Sequence, residues 1–312
     1  MKTSRIPKLE PITLSEACNQ RCLFCAAYQG MKAHTEAEIA AIIARSDKQV
    51  IIGGWEPTLD PRLETTIRRA KEAGIQNIAV FTNAVRLSDK EYADRLIAAG
   101  ATLFNINFPA HIRKLSDSIT RSPGAFEKRV SAIKHLLARR DRTAVSLCFV
   151  VSSVNYKILP EYAEYVAVNF SGIEHVALNM ICVNGWAGVA VSLVPKLKDI
   201  EPYLREAAGV FTRRRVRFVI DNVPLCRMRG FEYASAAAKY IVMDGVKAVA
   251  SDKTYMRAAC CAGCTLRRIC MGLRRDYYKL NGDKELLLST KLAGPIKEQI
   301  LAEKNRSYPS DM

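Results

Sequence analysis

Three cysteines, Cys18, Cys22 and Cys25, stand within the stretch ITLSEACNQRCLFCAAYQG (residues 12–30), just past an apolar, strand-like run. Thiols this crowded fit three chemistries: disulfide pairing, zinc ligation, or the holding of an iron–sulfur cluster one protein ligand short. A four-iron cubane takes four ligands, and the next cysteine along the chain is Cys148. An iron left open on a loop offers a place where substrate or cofactor can bind the metal. Zinc stays open as an alternative, because His34 would complete a set of three thiolates and one imidazole. A second group lies downstream: Cys226 in VPLCRMRG, and Cys260, Cys261, Cys264 and Cys270 in CCAGCTLRRICMG. Cys226 with the C-x2-C-x5-C run of Cys261, Cys264 and Cys270 supplies four thiolates, enough for a fully ligated cluster or a four-thiolate zinc site. Cys260 adjoins Cys261 and could replace it as ligand.

The elements that must position these loops are legible in the apolar runs. Strands are expected at EPITLS (10–15), QVIIGG (49–54), NIAVFTN (77–83), TLFNINF (102–108), AVSLCFVV (144–151) and HVALNMI (175–181). Amphipathic helical patterns separate them, at 35–46, 61–74, 89–100, 124–139 and 158–170, with Gly74 and Gly100 as helix stops. Six strands alternating with helices predict a parallel sheet in an α/β fold, either an open partial barrel or a doubly wound sheet. In both, ligands bind at the carboxyl ends of the strands, and the three-cysteine loop begins where the first strand ends. After residue 190 the rhythm changes. A helix is expected over 196–213 and a strand at VRFVID (216–221), and from Cys226 the text turns irregular, basic and rich in cysteine. This predicts a barrel domain over 1–190 and a smaller metal-bearing domain over 191–312.

Composition narrows the setting. The 312 residues are 49% hydrophobic and 25% charged, as in ordinary globular proteins. No secretory leader is visible, and the longest apolar run, about ten residues, is about half of a membrane span. A cytoplasmic protein with no membrane partner is expected, and there ten cysteines read as metal or redox chemistry rather than disulfides. The net charge of +16 is concentrated in 211–218, 225–230 and 266–279. It suits either an anionic substrate or RNA partner, or a solvated basic face.

The run CNQRCLFC, with Phe24 before the last cysteine, resembles the CxxxCxΦC signature of radical S-adenosylmethionine (SAM) enzymes. A second stretch at the end of the second strand, GGWEP with Gly53, Gly54, Glu56 and Pro57, resembles that family's GGxEP motif. The resemblance covers about residues 8 to 190. It implies a partial (βα)6 TIM-like barrel carrying a 4Fe–4S cluster on Cys18, Cys22 and Cys25. SAM would chelate the open iron through its amine and carboxylate, with the backbone and carboxylate of GGWEP holding the amine. Reductive cleavage would then yield a 5′-deoxyadenosyl radical that abstracts a substrate hydrogen. A donor such as flavodoxin or ferredoxin would supply the electron.

The same resemblance makes Thr82, Asn83, Asn105, Asn107 and Ser146 candidate SAM contacts, and strand alternation places Asn105 and Asn107 on one side. C-x2-C-x5-C resembles part of the SPASM and Twitch auxiliary-cluster domains. The full SPASM pattern continues with a cysteine where this chain has Arg274, so one Twitch-type 4Fe–4S cluster on Cys226, Cys261, Cys264 and Cys270 is expected. Cys148 and Cys182 read as buried small hydrophobes or, facing the lumen, hydrogen-atom donors. His111 reads as an acid–base or structural group on the rim, and Trp55 and Trp186 as pocket walls or covers. Only 17 residues precede Cys18, which leaves no room there for a leader-binding domain. The expected activity is radical oxidation or bond formation on a small molecule, or on a peptide delivered by a separate protein. The alternatives are RNA modification and a non-enzymatic metal-binding protein.

Overall fold

The computed structural model describes residues 10–26, 31–183, 185, 188, 190–244 and 254–307. Every expected strand forms: β1 (Ile12–Ser15), β2 (Gln49–Gly54), β3 (Asn77–Thr82), β4 (Leu103–Asn107), β5 (Ala144–Val151) and β6 (His175–Met180). Each pairs in parallel with its sequence neighbour, and β7 (Phe218–Asp221) joins β6 in the same sense. The expected six strands are thus extended to seven, because the strand read in VRFVID continues the sheet past residue 190. The order runs sequentially from β1 to β7, a parallel sheet of the partial TIM-barrel kind.

The crossovers are α1 (Glu36–Arg45), α2 (Leu63–Glu72), α3 (Lys90–Ala99), α4 (Arg113–Thr120), α5 (Ala125–Leu137), α6 (Leu159–Asn169) and α7 (Leu197–Arg213). Local chemistry sets their ends. Thr35 and Glu38 form a capping box on α1, and Asp89 caps α3, which stops at Gly100 with φ +123°. The short α4, RKLSDSIT, was not expected; eight residues with Leu115 and Ile119 as their only apolar side chains are too few to display a helical repeat in the sequence.

Strand alternation gives the sheet two unlike faces. The aligned row Ile12, Ile52, Val80, Phe104 and Val145 is at most 1% exposed and lies under the helices. Burying each such side chain contributes about 1.5–3 kcal/mol. On the other face, Phe81, Asn105, Ser146 and His175 align across β3 to β6, a mostly polar row. The inner wall is therefore built to meet polar ligands. The later segment comprises α8 (Ala236–Asp244), an antiparallel pair β8 (Tyr255–Met256) and β9 (Leu273–Arg274), α9 (Arg275–Asn281), α10 (Ala293–Ser307) and several 3-10 turns. Its Leu266, Ile269 and Leu273 belong to one apolar core continuous with the barrel. Among the described residues, no helix is long and apolar enough to cross a membrane.

Candidate functional site

The three-cysteine loop leaves β1 at Ser15, whose hydroxyl accepts from the Ala17 amide at 3.0 Å. It is fastened from below by the last turn of α4: Arg21 N donates to Thr120 O (3.1 Å) and Leu23 N to Ile119 O (2.9 Å). The α4 carbonyls that have no partner within their own helix thereby find one in the loop. Phe24 is buried in the core, while Cys18, Cys22 and Cys25 are half-buried. Polar groups already address the sulfurs: Gln20 N donates to Cys18 Sγ (3.4 Å), and Asn83 Nδ2 lies 3.8 Å from it. Burial pushes the Cys22 thiol up to about 12, with Cys18 and Cys25 adding to the shift, and burial likewise raises Cys18. Metal-free, these thiols hold their protons. Iron charge reverses that, since a coordinating thiol is deprotonated outright. His34 stands elsewhere: its Nδ1 accepts from Thr13 N at 3.1 Å and its own N donates to Thr13 O, stitching it to the edge of β1.

Behind the loop stands Glu56, fully buried. Its Oε1 accepts from Thr58 N (3.1 Å), Thr58 Oγ1 (2.6 Å) and Thr82 Oγ1 (2.6 Å), and its Oε2 from Asn83 N (2.7 Å). Burial raises its pKa while these hydrogen bonds pull it back down. Both carboxylate oxygens are thus turned inward onto the ends of β2 and β3, and Glu56 N donates to Ala17 O of the cysteine loop. Pro57 opens the following 3-10 turn. Asn83, in turn, reaches the loop through Nδ2, 2.7 Å from Asn19 Oδ1. Thr82 and Asn83 are therefore placed as a link between Glu56 and the cysteines.

The two glycines differ. Gly54 has φ +104°, and a Cβ there would lie 2.7 Å from Thr13 Cγ2, so an alanine is both strained and obstructed. A Cβ on Gly53 would meet only Phe81 Cβ at 3.5 Å, an ordinary contact. We expect Gly54→Ala to lower stability by about 1–3 kcal/mol in thermal unfolding. Gly53→Ala should unfold like wild type yet lose SAM affinity, by equilibrium binding, if bare backbone there receives the cofactor. Unchanged affinity would remove Gly53 from the site.

On the inner wall Asn105 Nδ2 donates to Ser146 Oγ at 3.0 Å, and Asn105 and Asn107 face the same way, with partners Ser146 and Cys148 across β5. Asn107 Oδ1 is buried without a hydrogen-bond partner among the described residues, and so is available to accept from a ligand. Cys148 accepts from Asn179 Nδ2 (3.3 Å) and Cys182 from Asn222 Nδ2 (3.5 Å). His111 packs on Tyr165 with ring centres 5.6 Å apart, against α6, and Trp55 is half-buried beside Glu56. Trp186 lies outside the described residues.

The second cysteine set lines one small pocket, with Cys226, Cys261, Cys264 and Cys270 beside Leu225, Leu266, Leu286 and the arginines Arg257 and Arg267. Cys260 is exposed and lies outside that lining. Leu287 N donates to Cys226 Sγ (3.5 Å) and Gly272 N to Cys270 Sγ (3.3 Å). Gly272, at φ +91°, has no room for a side chain: its Cβ would lie 2.1 Å from Met256 O. Burial raises the Cys226 thiol to about 11 and also raises Cys270. Much of the late basic charge is internally paired: Arg214, Arg217, Arg227, Arg229 and Arg274 all face carboxylates. Arg129, missed in the sequence, lies wholly buried behind the first loop, with Nε on Asn83 O (3.2 Å) and Nη1 on Ser116 Oγ (3.0 Å).

Comparison with known proteins agrees with this geometry. The chain is 25% identical over 301 residues to a protein named probable GTP 3′,8-cyclase from Saccharolobus islandicus, covering 93% of this chain and 90% of that one. A GTP 3′,8-cyclase from Chlorobaculum tepidum is 27% identical over 211 residues, 64% of this chain and 63% of its own. In fold, native anSMEcpe with bound AdoMet superposes at TM-score 0.58 and 13% identity, over 95% of this chain and 98% of that one. SuiB of Streptococcus suis superposes at 0.53 and 18% identity, over 68% of this chain and 50% of SuiB, so this chain matches half of that protein's length. Residues 12–166, from β1 into α6 and including both the cysteine loop and GGWEP, match the family described as the Radical SAM superfamily. The chain belongs to the radical SAM superfamily, enzymes that use SAM with a 4Fe–4S cluster.

Proposed function

We propose that this enzyme holds two clusters: one on Cys18, Cys22 and Cys25 that binds SAM, and a fully ligated auxiliary 4Fe–4S cluster on Cys226, Cys261, Cys264 and Cys270. The observation that carries the reading is the convergence of those four thiols on one small pocket. Zinc draws its thiolates to about 2.3 Å, which crowds the sulfurs, whereas the corners of a cubane hold them farther apart. The radical SAM family of the chain supports a cluster rather than zinc at the first site; at the second, iron and zinc content separate the two. Cys261 rather than Cys260 is the ligand, since only Cys261 faces the pocket.

When bound, SAM and the first cluster supply a 5′-deoxyadenosyl radical for abstraction of a substrate hydrogen. The chain's own part is to fix and shield that chemistry. α4 and Asn83 hold the cysteine loop, Gly53 and Gly54 leave backbone open, and the polar inner wall of Asn105, Asn107 and Ser146 receives the ligand. With four protein thiolates the auxiliary site leaves no iron free for substrate, which suits it to accept an electron. The net reaction is then a two-electron oxidation or a bond formation on a small molecule or peptide, driven by a flavodoxin- or ferredoxin-type donor. Similarity along nearly the whole chain to proteins named for cyclising a nucleotide weighs toward a small molecule. The paired arginines of the late segment leave less free charge for RNA.

The test is metal analysis after anaerobic reconstitution. About eight irons per chain are expected, with Cys260→Ser keeping them and Cys261→Ser losing those of the auxiliary site. About four irons together with zinc would overturn the auxiliary redox role. The opposite pattern between the two serine variants would reassign the ligand.

A further inference from the structure

A buried arginine is the feature of this molecule that the proposed chemistry has not yet used. Arg129 projects from α5 and is 0% exposed, one of the largest fully buried side chains in the protein. Removing a guanidinium from water costs several kcal/mol unless charge or hydrogen bonds offset it. The two bonds it makes go to neutral oxygens, Asn83 O and Ser116 Oγ, and its Nη2 has no hydrogen-bond partner among the described residues. Even so, burial lowers its pKa only to about 10, opposed by Cys22, Asp117 and Glu56. The cation persists at neutral pH.

Its anchors say what it faces. Asn83 is the residue whose side chain reaches Cys18 and Asn19, and Ser116 lies on α4, whose last carbonyls hold Arg21 and Leu23 of the cysteine loop. Arg129 thus sits where the two supports of that loop meet, and the groups whose negative charge acts on it most are Cys22, then Asp117 and Glu56. A cubane held by three thiolates is negatively charged in its oxidised state and more so once reduced. A cation buried away from water interacts strongly with such a charge.

We propose that Arg129 is the built-in counter-cation of the SAM-binding cluster, favouring its reduced state through charge. This rests on the assignment of that cluster to Cys18, Cys22 and Cys25. Arg129 would act as a positioning and tuning residue, without contact to substrate. Cluster potentials respond to net charge and to hydrogen bonds near the sulfurs, so the effect has a sign. Loss of the cation moves the reduction midpoint to more negative potential and makes the cluster harder to reduce.

The experiment is an anaerobic redox titration of the reconstituted full chain, followed by the electron paramagnetic resonance signal of the SAM-binding cluster, without SAM. That signal is identified by its disappearance in the Cys18/Cys22/Cys25→Ala variant. Wild type, Arg129→Lys and Arg129→Gln are compared, with thermal unfolding measured alongside. The expected result is a negative shift of the midpoint in Arg129→Gln, with Arg129→Lys close to wild type although it loses the anchoring geometry. Equal midpoints in all three would make Arg129 a structural tie only and overturn the proposal. A shift as large in Arg129→Lys as in Arg129→Gln would also overturn it, because charge would not be the cause. Should Arg129→Gln fail to fold, a wild-type-like midpoint in Arg129→Lys supports the proposal and a shifted one overturns it. A wild-type chain with no signal that depends on the three cysteines would instead show that the cluster assignment had failed.

Discussion

Replacing Cys18, Cys22 and Cys25 together by alanine is expected to abolish SAM cleavage, with 5′-deoxyadenosine formation falling to the level of the reagents alone. The three thiols are the cysteine ligands that the first loop offers, and the next cysteine, Cys148, is bonded to Asn179 on the inner wall. On the proposed assignment of an auxiliary cluster to Cys226, Cys261, Cys264 and Cys270, iron should fall from about eight per chain to about four. The fold should survive. All three cysteines are half-buried, and the loop keeps its backbone bonds to Thr120 O and Ile119 O on α4 and to Ala17 O through Glu56 N. Thermal unfolding of the metal-free wild type and the variant should therefore nearly coincide. Retention of all the iron would place the clusters elsewhere, and retention of SAM cleavage would separate the chemistry from this loop.

What could be read ahead of the structure followed periodicity and spacing. Six of the seven crossover helices and six strands were visible because apolar period 2 and period 3.6 alternate cleanly. The cysteine loop and GGWEP were visible because their residue types are rare at such spacing. The seventh strand was read as a strand, but its membership in the sheet depends on pairing, β6 with β7, that no local signal encodes. The choice between Cys260 and Cys261 rests on one residue's rotation about a 3-10 turn, which adjacent identical residues conceal. The orientation of Glu56 was equally hidden: a motif names the residue, whereas packing decides that both its oxygens turn toward Thr58, Thr82 and Asn83. Arg129 did leave a trace. Ala125, Arg129, Ala132, Ile133 and Leu136 form the buried stripe of α5, so a cation stands where the pattern calls for an apolar side chain.

Glu56 is where loss of one side chain should unsettle both stability and the site. Glu56→Ala leaves two backbone amides, Thr58 N and Asn83 N, and two hydroxyls without their acceptor in a place water does not reach. A cost of about 3–5 kcal/mol is expected in denaturant unfolding. Glu56→Gln keeps the shape but can offer only one oxygen, so its amide nitrogen must face an N–H or a hydroxyl, at about 1–3 kcal/mol. In both variants Asn83 loses its hold, and with it the contact to Asn19 and Cys18. The SAM-binding cluster should therefore be lost faster than the auxiliary one on exposure to a chelator. The pH dependence carries a sign as well. Burial raises the Glu56 pKa above its ordinary value of 4.5, so the folded state binds the proton more tightly than the unfolded chain. Its contribution is full below that ordinary value and declines as pH rises through the raised one, whereas glutamine cannot titrate. The stability gap between wild type and Glu56→Gln should accordingly narrow as pH climbs from 4.5. A gap that widens instead would mean that the four hydrogen bonds outweigh burial and hold Glu56 as the carboxylate anchor of the loop.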